Sequence, residues 1–148
     1  MAQWNFLPQC QDKNPVRIHI HIEHIAIWVS DLEKTRNFYE KYFAARSNDG
    51  YYNPSKNFRS YFLRFDNGCR LELMQKPEVN EESRLHEKQK LGIVHFAVSV
   101  GSREKVDVLT EQLRKGGYTI VSEPRTTGDG YYESVVLDCE NNLIEITV

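Results

Sequence analysis

The stretch His24-Ile-Ala-Ile-Trp-Val29 decides the fold, because it returns 71 positions later as His95-Phe-Ala-Val-Ser-Val100. Both copies have the pattern His, apolar, Ala, apolar, any residue, Val, which is the alternation of a strand with two different faces. Two further matching segments, Leu71-Glu72-Leu73 and Ile144-Glu145-Ile146, lie 73 positions apart. The chain therefore uses one supersecondary unit twice, and each copy opens with a His and closes with a Glu.

The residues between these segments complete the first unit. Ser30-Asp31-Leu32-Glu33 has the Ser-x-x-Glu pattern of a capping box that opens a helix. Apolar residues at i, i+3, i+4 and i+7 continue this helix from Thr35 to about Ala44. Two strands, 59–65 and 69–74, follow around an Asp-Asn-Gly hairpin turn. These elements follow the order of the second copy, which has one more strand, so the repeat predicts a βαβββ module.

The second unit repeats this order. A strand at 93–100 precedes a helix at 102–115, which ends at Gly116-Gly117. Three more strands are predicted at 118–122, 131–138 and 143–148.

The repeat also sets the domain organisation. We predict an N-terminal arm at 1–21 and a single domain at 22–148, with modules at about 22–76 and 93–148. The charged residues 77–91 are predicted to be a linker with a short helix at about 81–89.

The strand alternation predicts that four polar residues meet. Ile25, Ile27 and Val29 share the face that packs on a helix, so His24 faces the other way. The flanking apolar residues of Glu72 and Glu145 turn these carboxylates to the side of the two imidazoles. A sheet with helices on one face and a concave opposite face would gather His24, Glu72, His95 and Glu145.

A divalent cation explains this combination of residues. A carboxylate inside an apolar strand costs several kcal/mol to bury, and two converging carboxylates repel each other. Two carboxylates and two neutral imidazoles balance the charge of one divalent ion. Mixed nitrogen and oxygen ligands suit Zn, Ni, Co, Mn or Fe(II), and the sequence does not select among them.

Composition excludes several other classes of function. Of the 148 residues, 40% are hydrophobic and 27% are charged, as in a globular domain. The formal net charge is -2 and there is no basic run, so neither nucleic acid nor a membrane is an expected partner. The three cysteines have no Cys-x-x-Cys spacing, and the N-terminus has no secretory signal. We expect a cytoplasmic protein.

With these motifs the sequence resembles the vicinal oxygen chelate (VOC) superfamily, and within it the glyoxalase I-like (lactoylglutathione lyase-like) proteins. The resemblance runs from about Ile22 to Val148 and rests on the His24 strand, Phe38-Tyr39, Phe43 and the other three ligand segments. The order His, Glu, His, Glu is that of glyoxalase I. The resemblance implies an α+β fold in which two βαβββ modules form a curved, mixed, eight-stranded sheet.

The resemblance also implies a function. We expect a metal-dependent lyase or isomerase that transfers a proton next to a carbonyl, with one divalent metal, Zn or Ni in first place, stabilising an enediolate. The metal ligands would be His24, Glu72, His95 and Glu145. Glu145 would move the proton, with Glu72 as the alternative. The substrate would be a small molecule such as a thiol adduct of a 2-oxoaldehyde, and the protein a homodimer. Sites in related dimers form within a chain or across subunits, and the sequence does not decide between these arrangements.

Departures from the family pattern leave the substrate open. Trp28 stands where bacterial glyoxalase I enzymes carry an Arg, and Lys76 stands where they carry an Asn. Both positions help to hold glutathione in the family. Two alternatives therefore remain: a non-catalytic small-molecule (antibiotic) binding protein on the same scaffold, and an acyl-thioester epimerase.

Several other residues are weaker candidates. His19 and His21 face away from His24 by strand alternation, so we interpret them as surface residues. Two roles are open for Arg59, Arg64 and Arg125: each could anchor an anionic substrate or be a solvated surface charge. The loop 128–132 is either a cover over the site or an ordinary Gly-rich hairpin. Cys69 and Cys139 lack an adjacent base and are not expected to be nucleophiles.

Overall fold

The computed structural model describes residues 20–79 and 92–148. The first range contains β1 (His24–Trp28), α1 (Leu32–Phe43), β2 (Arg46–Ser47), β3 (Tyr51–Asn53), β4 (Phe58–Arg64) and β5 (Arg70–Gln75). The second contains β6 (His95–Ser99), α2 (Arg103–Lys115), β7 (Ile120–Thr126), β8 (Tyr132–Leu137) and β9 (Leu143–Thr147). The predicted arm, apart from residues 20 and 21, and the predicted helix at 81–89 lie outside the described residues.

Each range forms one module of the βαβββ type with its own sheet, and the first module has one additional short strand. The first sheet has the order β1-β5-β4-β2, with β3 also paired to β4, and the second has the order β6-β9-β8-β7. In both sheets the opening strand runs parallel to the closing strand, and the closing hairpin is antiparallel. The α+β class and the two modules are therefore confirmed. The short strands β2 and β3 were not predicted, because turn residues surround them.

The two sheets remain separate within the chain. Among the described residues, β1 pairs only with β5 and β6 pairs only with β9. The sequence suggested one curved sheet of eight strands, whereas the ladders of a single chain form a five-stranded and a four-stranded sheet. The physical reason lies in the packing of α1, which contacts both modules.

Helix α1 starts one residue later than the capping box predicted. Its N-cap is Asp31, whose side chain accepts a hydrogen bond from the backbone N–H of Lys34 at 2.9 Å. Ser30 instead donates its hydroxyl and backbone N–H to the Glu140 carboxylate. The helix ends as predicted, because Ala44 adopts a left-handed conformation (φ 51°) and its backbone N–H bonds to the Tyr39 carbonyl.

Helix α2 matches its prediction closely. Ser102 is the N-cap and accepts from the backbone N–H of Lys105 at 3.3 Å. Gly116 caps the C-terminus, and Gly117 follows with a positive φ of 86°. This pair of glycines reverses the chain towards β7, because the second glycine adopts a conformation that other residues rarely take.

The inner faces of both sheets share one hydrophobic core. Phe38 and Tyr39 of α1 are buried, and they contact the second module as well as the first. The ring of Phe38 lies 4.7 Å from that of Tyr118, and the ring of Tyr39 lies 6.4 Å from that of Phe96. The helical side of each module therefore faces the other module.

Polar contacts fix this arrangement. The Glu140 carboxylate, from the β8–β9 turn, accepts hydrogen bonds from the first turn of α1: from the backbone N–H of Asp31 at 2.9 Å and from the hydroxyl of Thr35 at 3.1 Å. An acidic group at a helix N-terminus satisfies free N–H groups and complements the helix dipole. The second module thus caps the helix of the first.

Candidate metal centre

The first half of the candidate centre lies on β1 and β5. Ala26 is the ladder partner of Glu72, and His24 precedes it by two residues on the same face. The Nε2 atom of His24 lies 3.8 Å from the Glu72 carboxylate. Leu71 and Leu73 are buried on the opposite face, which turns Glu72 outward as the sequence predicted.

The second half repeats this geometry on β6 and β9. Ala97 is the ladder partner of Glu145, and the Nε2 atom of His95 lies 3.4 Å from the Glu145 carboxylate. Ile144 and Ile146 are buried on the inner face. Both half-sites therefore place an imidazole and a carboxylate together on the sheet face away from the helices, which we call the outer face of each module.

A carboxylate and an arginine surround the first imidazole. The Nδ1 atom of His24 lies 2.5 Å from the Glu23 carboxylate, which also forms an ion pair with Arg70. These contacts, the His24 hydrogen bond above all, hold the pKa of Glu23 below its ordinary value. The ring of Phe62 stands edge-on to the His24 ring at 5.4 Å. The sequence did not single out Glu23, Phe62 or Arg70.

A second carboxylate lies beside Glu145. Glu133 on β8 is two residues from Val135, the ladder partner of Glu145, so the two glutamates share the outer face. Burial and the charge of Glu133 raise the pKa of Glu145, against the opposite effect of His95. Arg125 forms a 3.3 Å ion pair with Glu133. The alternation of Glu133, Val135 and Leu137 along β8 is the sequence signal for this position, and Glu133 was not among the predicted site residues.

The structure does not bring the four predicted ligands together within one chain. Among residues 20–79 and 92–148, no group of three or more His, Cys, Asp or Glu side chains is placed to hold a metal ion. The reason is that both outer faces point away from the shared core. The chain thus presents two separate half-sites, His24 with Glu72 and His95 with Glu145.

The donor atoms of each half-site fit a divalent ion. Two ligand atoms that are about 2.0–2.2 Å from one ion, at a tetrahedral angle, lie roughly 3.3–3.6 Å apart. The separations of 3.4 and 3.8 Å are close to this spacing and wider than most hydrogen bonds. The carboxylates are largely covered, with side-chain exposures of 15% for Glu72 and 20% for Glu145. A cation would offset the cost of covering them.

The outer face of the first module also carries aromatic side chains. The ring of Trp28 lies 6.1 Å from that of Phe58, which lies 6.2 Å from that of Tyr51. Trp28 and Tyr51 are exposed. These three residues form an aromatic surface on the same face as His24 and Glu72, and Trp28 belongs to the same strand as His24.

The three candidate arginines occupy different surroundings. Arg64 lines a cavity of about 450 Å³ together with Glu23, Cys69 and Arg70. Arg125 is paired with Glu133, and Arg59 is an exposed residue of β4 whose ladder partner is Gln75. Anchoring of an anionic substrate by any of them remains a prediction.

The remaining candidates lie away from the half-sites or outside the described residues. His21 precedes β1 and is exposed, and His19 falls outside the described residues. Burial raises the pKa of the Cys139 thiol, which suits an inert residue rather than a nucleophile. Neither of the two described helices has the length and apolar character needed to cross a membrane.

Solved structures share this fold. Glyoxalase I from Zea mays has a TM-score of 0.68 at 22% identity over 86% of this chain, which spans 44% of the maize chain. The trypanothione-dependent glyoxalase I of Leishmania major has a TM-score of 0.69 at 22% identity, over 87% of this chain and 86% of its own. At these identities the likeness establishes the fold.

Sequence comparison adds a relative and a family. The uncharacterised protein YqjT of Bacillus subtilis (strain 168) is 28% identical over 128 residues, which cover 84% of this chain and 96% of YqjT. Residues 21–146 match the family described as the Glyoxalase/Bleomycin resistance protein/Dioxygenase superfamily. With that match extending over both modules, the chain belongs to the Glyoxalase/Bleomycin resistance protein/Dioxygenase (VOC) superfamily.

Proposed function

We propose that the protein is a metal-dependent lyase or isomerase of the glyoxalase type, and that its metal centre is completed by a second copy of the chain. His24 and Glu72 of one copy would meet His95 and Glu145 of the other. The observation that carries this proposal is the presence of two half-sites, each with one imidazole and one carboxylate. They lie on outer faces that do not meet in the part of the chain that the structure describes.

The edge strands support a second copy. β1 and β6 each have one edge without a described ladder partner, and such edges pair readily with another chain. Apolar side chains flank both strands: Ile20 and Ile93 are 88% and 85% exposed, and Ile22 and Val94 are exposed as well. Pairing β1 of one copy with β6 of another would cover these residues. It would also bring one half-site of each type together in a two-fold dimer.

The residues present suit proton transfer next to a carbonyl. A bound divalent ion would withdraw electron density from the substrate's adjacent oxygen atoms and stabilise the charge that develops there. Glu145 would remove the proton from the carbon that carries the hydroxyl group and the thioether sulfur, and return it to the neighbouring carbonyl carbon. The hydroxyl proton would move to the former carbonyl oxygen, which becomes the new hydroxyl group. A hemithioacetal would thereby become a 2-hydroxy thioester.

Glu145 is the preferred proton carrier because of its surroundings. In the metal-free chain, burial and the charge of Glu133 raise the pKa of Glu145, so this carboxylate holds a proton more readily than a solvated glutamate. Glu133 is itself held by Arg125, so it can stay in place while Glu145 moves. Glu72 is the alternative carrier. It has the same type of ladder position, but no second carboxylate is described beside it.

The aromatic surface favours a second candidate function. Trp28, Tyr51 and Phe58 offer flat apolar contacts on the face that carries His24. A protein that sequesters an apolar or aromatic ligand, such as an antibiotic, would use such a surface without catalysis.

Metal content and turnover distinguish these functions. Purified protein is analysed for metals, and its affinity for Zn and Ni is titrated. Hemithioacetals of several thiols with a 2-oxoaldehyde are then tested as substrates. We expect one tightly bound ion per chain and formation of a 2-hydroxy thioester. Protein that neither contains nor binds a divalent ion would contradict the enzyme and leave the sequestering function.

A further inference from the structure

The two half-sites differ in how their imidazoles are held. The Nδ1 atom of His24 is 2.5 Å from the Glu23 carboxylate. For His95, no side-chain hydrogen bond to Nδ1 is found among residues 20–79 and 92–148. The internal repeat allows the two histidines to be compared position by position. Glu23 precedes His24, whereas Val94 precedes His95.

Glu23 is itself fixed from two sides by Arg70. The guanidinium of Arg70 forms an ion pair with the Glu23 carboxylate, and the backbone N–H of Arg70 donates to the Glu23 carbonyl at 2.9 Å. The Arg70 side chain is 30% exposed and the Glu23 side chain is 54% exposed. Together with the contact to His24, the ion pair gives the Glu23 carboxylate two partners. The rotamer of Glu23 is therefore restricted before any ligand binds.

Phe62 contacts both Arg70 and His24. The Arg70 guanidinium lies 4.1 Å from the centre of the Phe62 ring, and the Phe62 ring stands edge-on to the imidazole of His24. Arg70 is the ladder partner of His24, and Phe62 is the ladder partner of Glu72. The imidazole is thus held at its Nδ1 edge by a carboxylate and beside its ring by an aromatic group.

The second module lacks all three supporting residues. At the positions matched by the repeat and by the ladders, Glu23, Phe62 and Arg70 are replaced by apolar residues, namely Val94, Val135 and Leu143. Valine and leucine side chains have no hydrogen-bonding group, so they cannot orient an imidazole through Nδ1. The difference between the modules is therefore chemical as well as geometric.

We propose that Glu23 is a positioning residue for His24, with Arg70 holding Glu23, so that the first half-site is set for metal binding before the ion arrives. A carboxylate that accepts the Nδ1 proton fixes the tautomer in which the Nε2 lone pair is free, and Nε2 is the atom that faces Glu72. The second half-site has no carboxylate described at Nδ1 of its histidine, so the His95 imidazole adopts its ligand orientation only when the ion binds. This inference rests on the proposed metal centre.

The imidazole tautomer tests the proposal in metal-free protein. We would record nitrogen NMR spectra at about pH 8, where imidazoles are largely neutral. His24 is assigned with a His24→Gln variant, and His95 serves as the reference within the same molecule. We expect the Nδ1-protonated tautomer at His24 in the wild type and a shift towards Nε2 protonation in Glu23→Ala. An unchanged His24 tautomer in Glu23→Ala would overturn the proposal.

Metal affinity tests the consequence of this positioning. Zn affinity in Glu23→Ala is expected to fall about 10–100-fold, the usual effect of removing a partner of a metal-ligating histidine. Glu111→Ala, which removes an exposed carboxylate on α2 paired with Arg114, is the matched control and should bind Zn like the wild type. A tautomer shift without a loss of Zn affinity would also overturn the proposal.

Two further variants keep the proposal testable if Glu23→Ala does not fold. Glu23→Gln keeps the side-chain shape but removes the charge, and it should give a smaller shift of tautomer and affinity in the same direction. Arg70→Met leaves Glu23 in place but frees its rotamer, and it should also give an intermediate effect. Wild-type protein that binds no Zn would contradict the proposed function instead, and the His24 tautomer would then decide the role of Glu23 alone.

Discussion

The buried hydroxyl of Tyr39 donates a 2.6 Å hydrogen bond to the carboxylate of Asp138, which joins the first helix to the β8–β9 turn of the other module. Asp138 also accepts from the backbone N–H groups of Glu140 and Asn142, so its carboxylate is fully engaged. Burial, and after it the Asp138 charge, raises the pKa of Tyr39 well above its ordinary value. This contact keeps the helical sides of the modules together and the outer faces apart.

Tyr39→Phe should therefore destabilise the protein. It removes one hydrogen bond to a charged acceptor inside the core, at a cost of about 1–3 kcal/mol in the free energy of unfolding. Urea denaturation followed by circular dichroism would measure this change. Tyr52→Phe, which removes an exposed hydroxyl, is the control and should stay within about 0.5 kcal/mol of the wild type. Equal stabilities of the two variants would show that the buried bond contributes nothing.

Glu140→Ala should weaken the same contact between α1 and the β8–β9 turn. The variant removes the acceptor for the N–H groups of Ser30 and Asp31 and for the hydroxyl of Thr35. Loss of a helix cap typically costs about 0.5–2 kcal/mol. The measurement is again urea denaturation, with Glu111→Ala as an exposed control. A Glu140→Ala protein as stable as this control would contradict the capping role.

The repeat allowed the two modules, the strand faces and the paired His and Glu residues to be predicted from the sequence. Alternation over five residues fixes which side chains share a face, and it placed Glu72 and Glu145 correctly beside their histidines. The capping box misplaced the start of α1 by one residue, because Ser30 bonds to Glu140, which lies 110 positions away. Such long-range partners leave no local signal.

The way the two modules pack against each other could not be predicted from local sequence patterns either. The sequence predicted that all four ligands meet in one concavity, but it did not decide whether they meet within one chain or across two subunits. In the chain, Phe38 and Tyr39 pack against Tyr118 and Phe96, and this packing directs the outer faces apart. An apolar helix residue reveals that it is buried but does not reveal which sheet covers it.

Glu145→Gln should abolish turnover while leaving much of the metal bound. The amide keeps a ligand oxygen but cannot accept the proton, so we expect a loss of kcat of about 10²–10⁴-fold. Turnover of a hemithioacetal and metal content are measured on the same preparation. Glu123→Gln, an exposed variant on β7, is the control and should retain full activity. A Glu145→Gln protein with normal kcat would refute the assigned role.

The stability of metal-free protein should depend on pH through Glu145. The pKa of Glu145 is raised in the fold, so the folded state holds this proton more tightly than the unfolded state. The resulting stability is fully present below the unfolded pKa and is lost as the pH rises through the folded pKa. Glu145→Gln should remove this loss and raise the Tm of the metal-free protein at neutral pH relative to the wild type.

Thermal unfolding of chelator-treated protein at several pH values would measure this effect. The wild type should become less stable across the titration of Glu145, and Glu145→Gln should change less over the same range. A wild type whose stability rises with pH there, while that of the variant does not, would show the opposite sign and contradict a raised pKa.

The most direct test of the account is complementation between variants that each lack one half-site. His24→Gln/Glu72→Gln and His95→Gln/Glu145→Gln are purified separately, shown to bind no Zn, and then mixed through unfolding and refolding. If each centre joins two copies, mixed dimers contain one complete centre, and equal mixing should restore about one quarter of the wild-type Zn binding. Absence of any restoration in a mixture shown to contain mixed dimers would contradict a centre shared between copies.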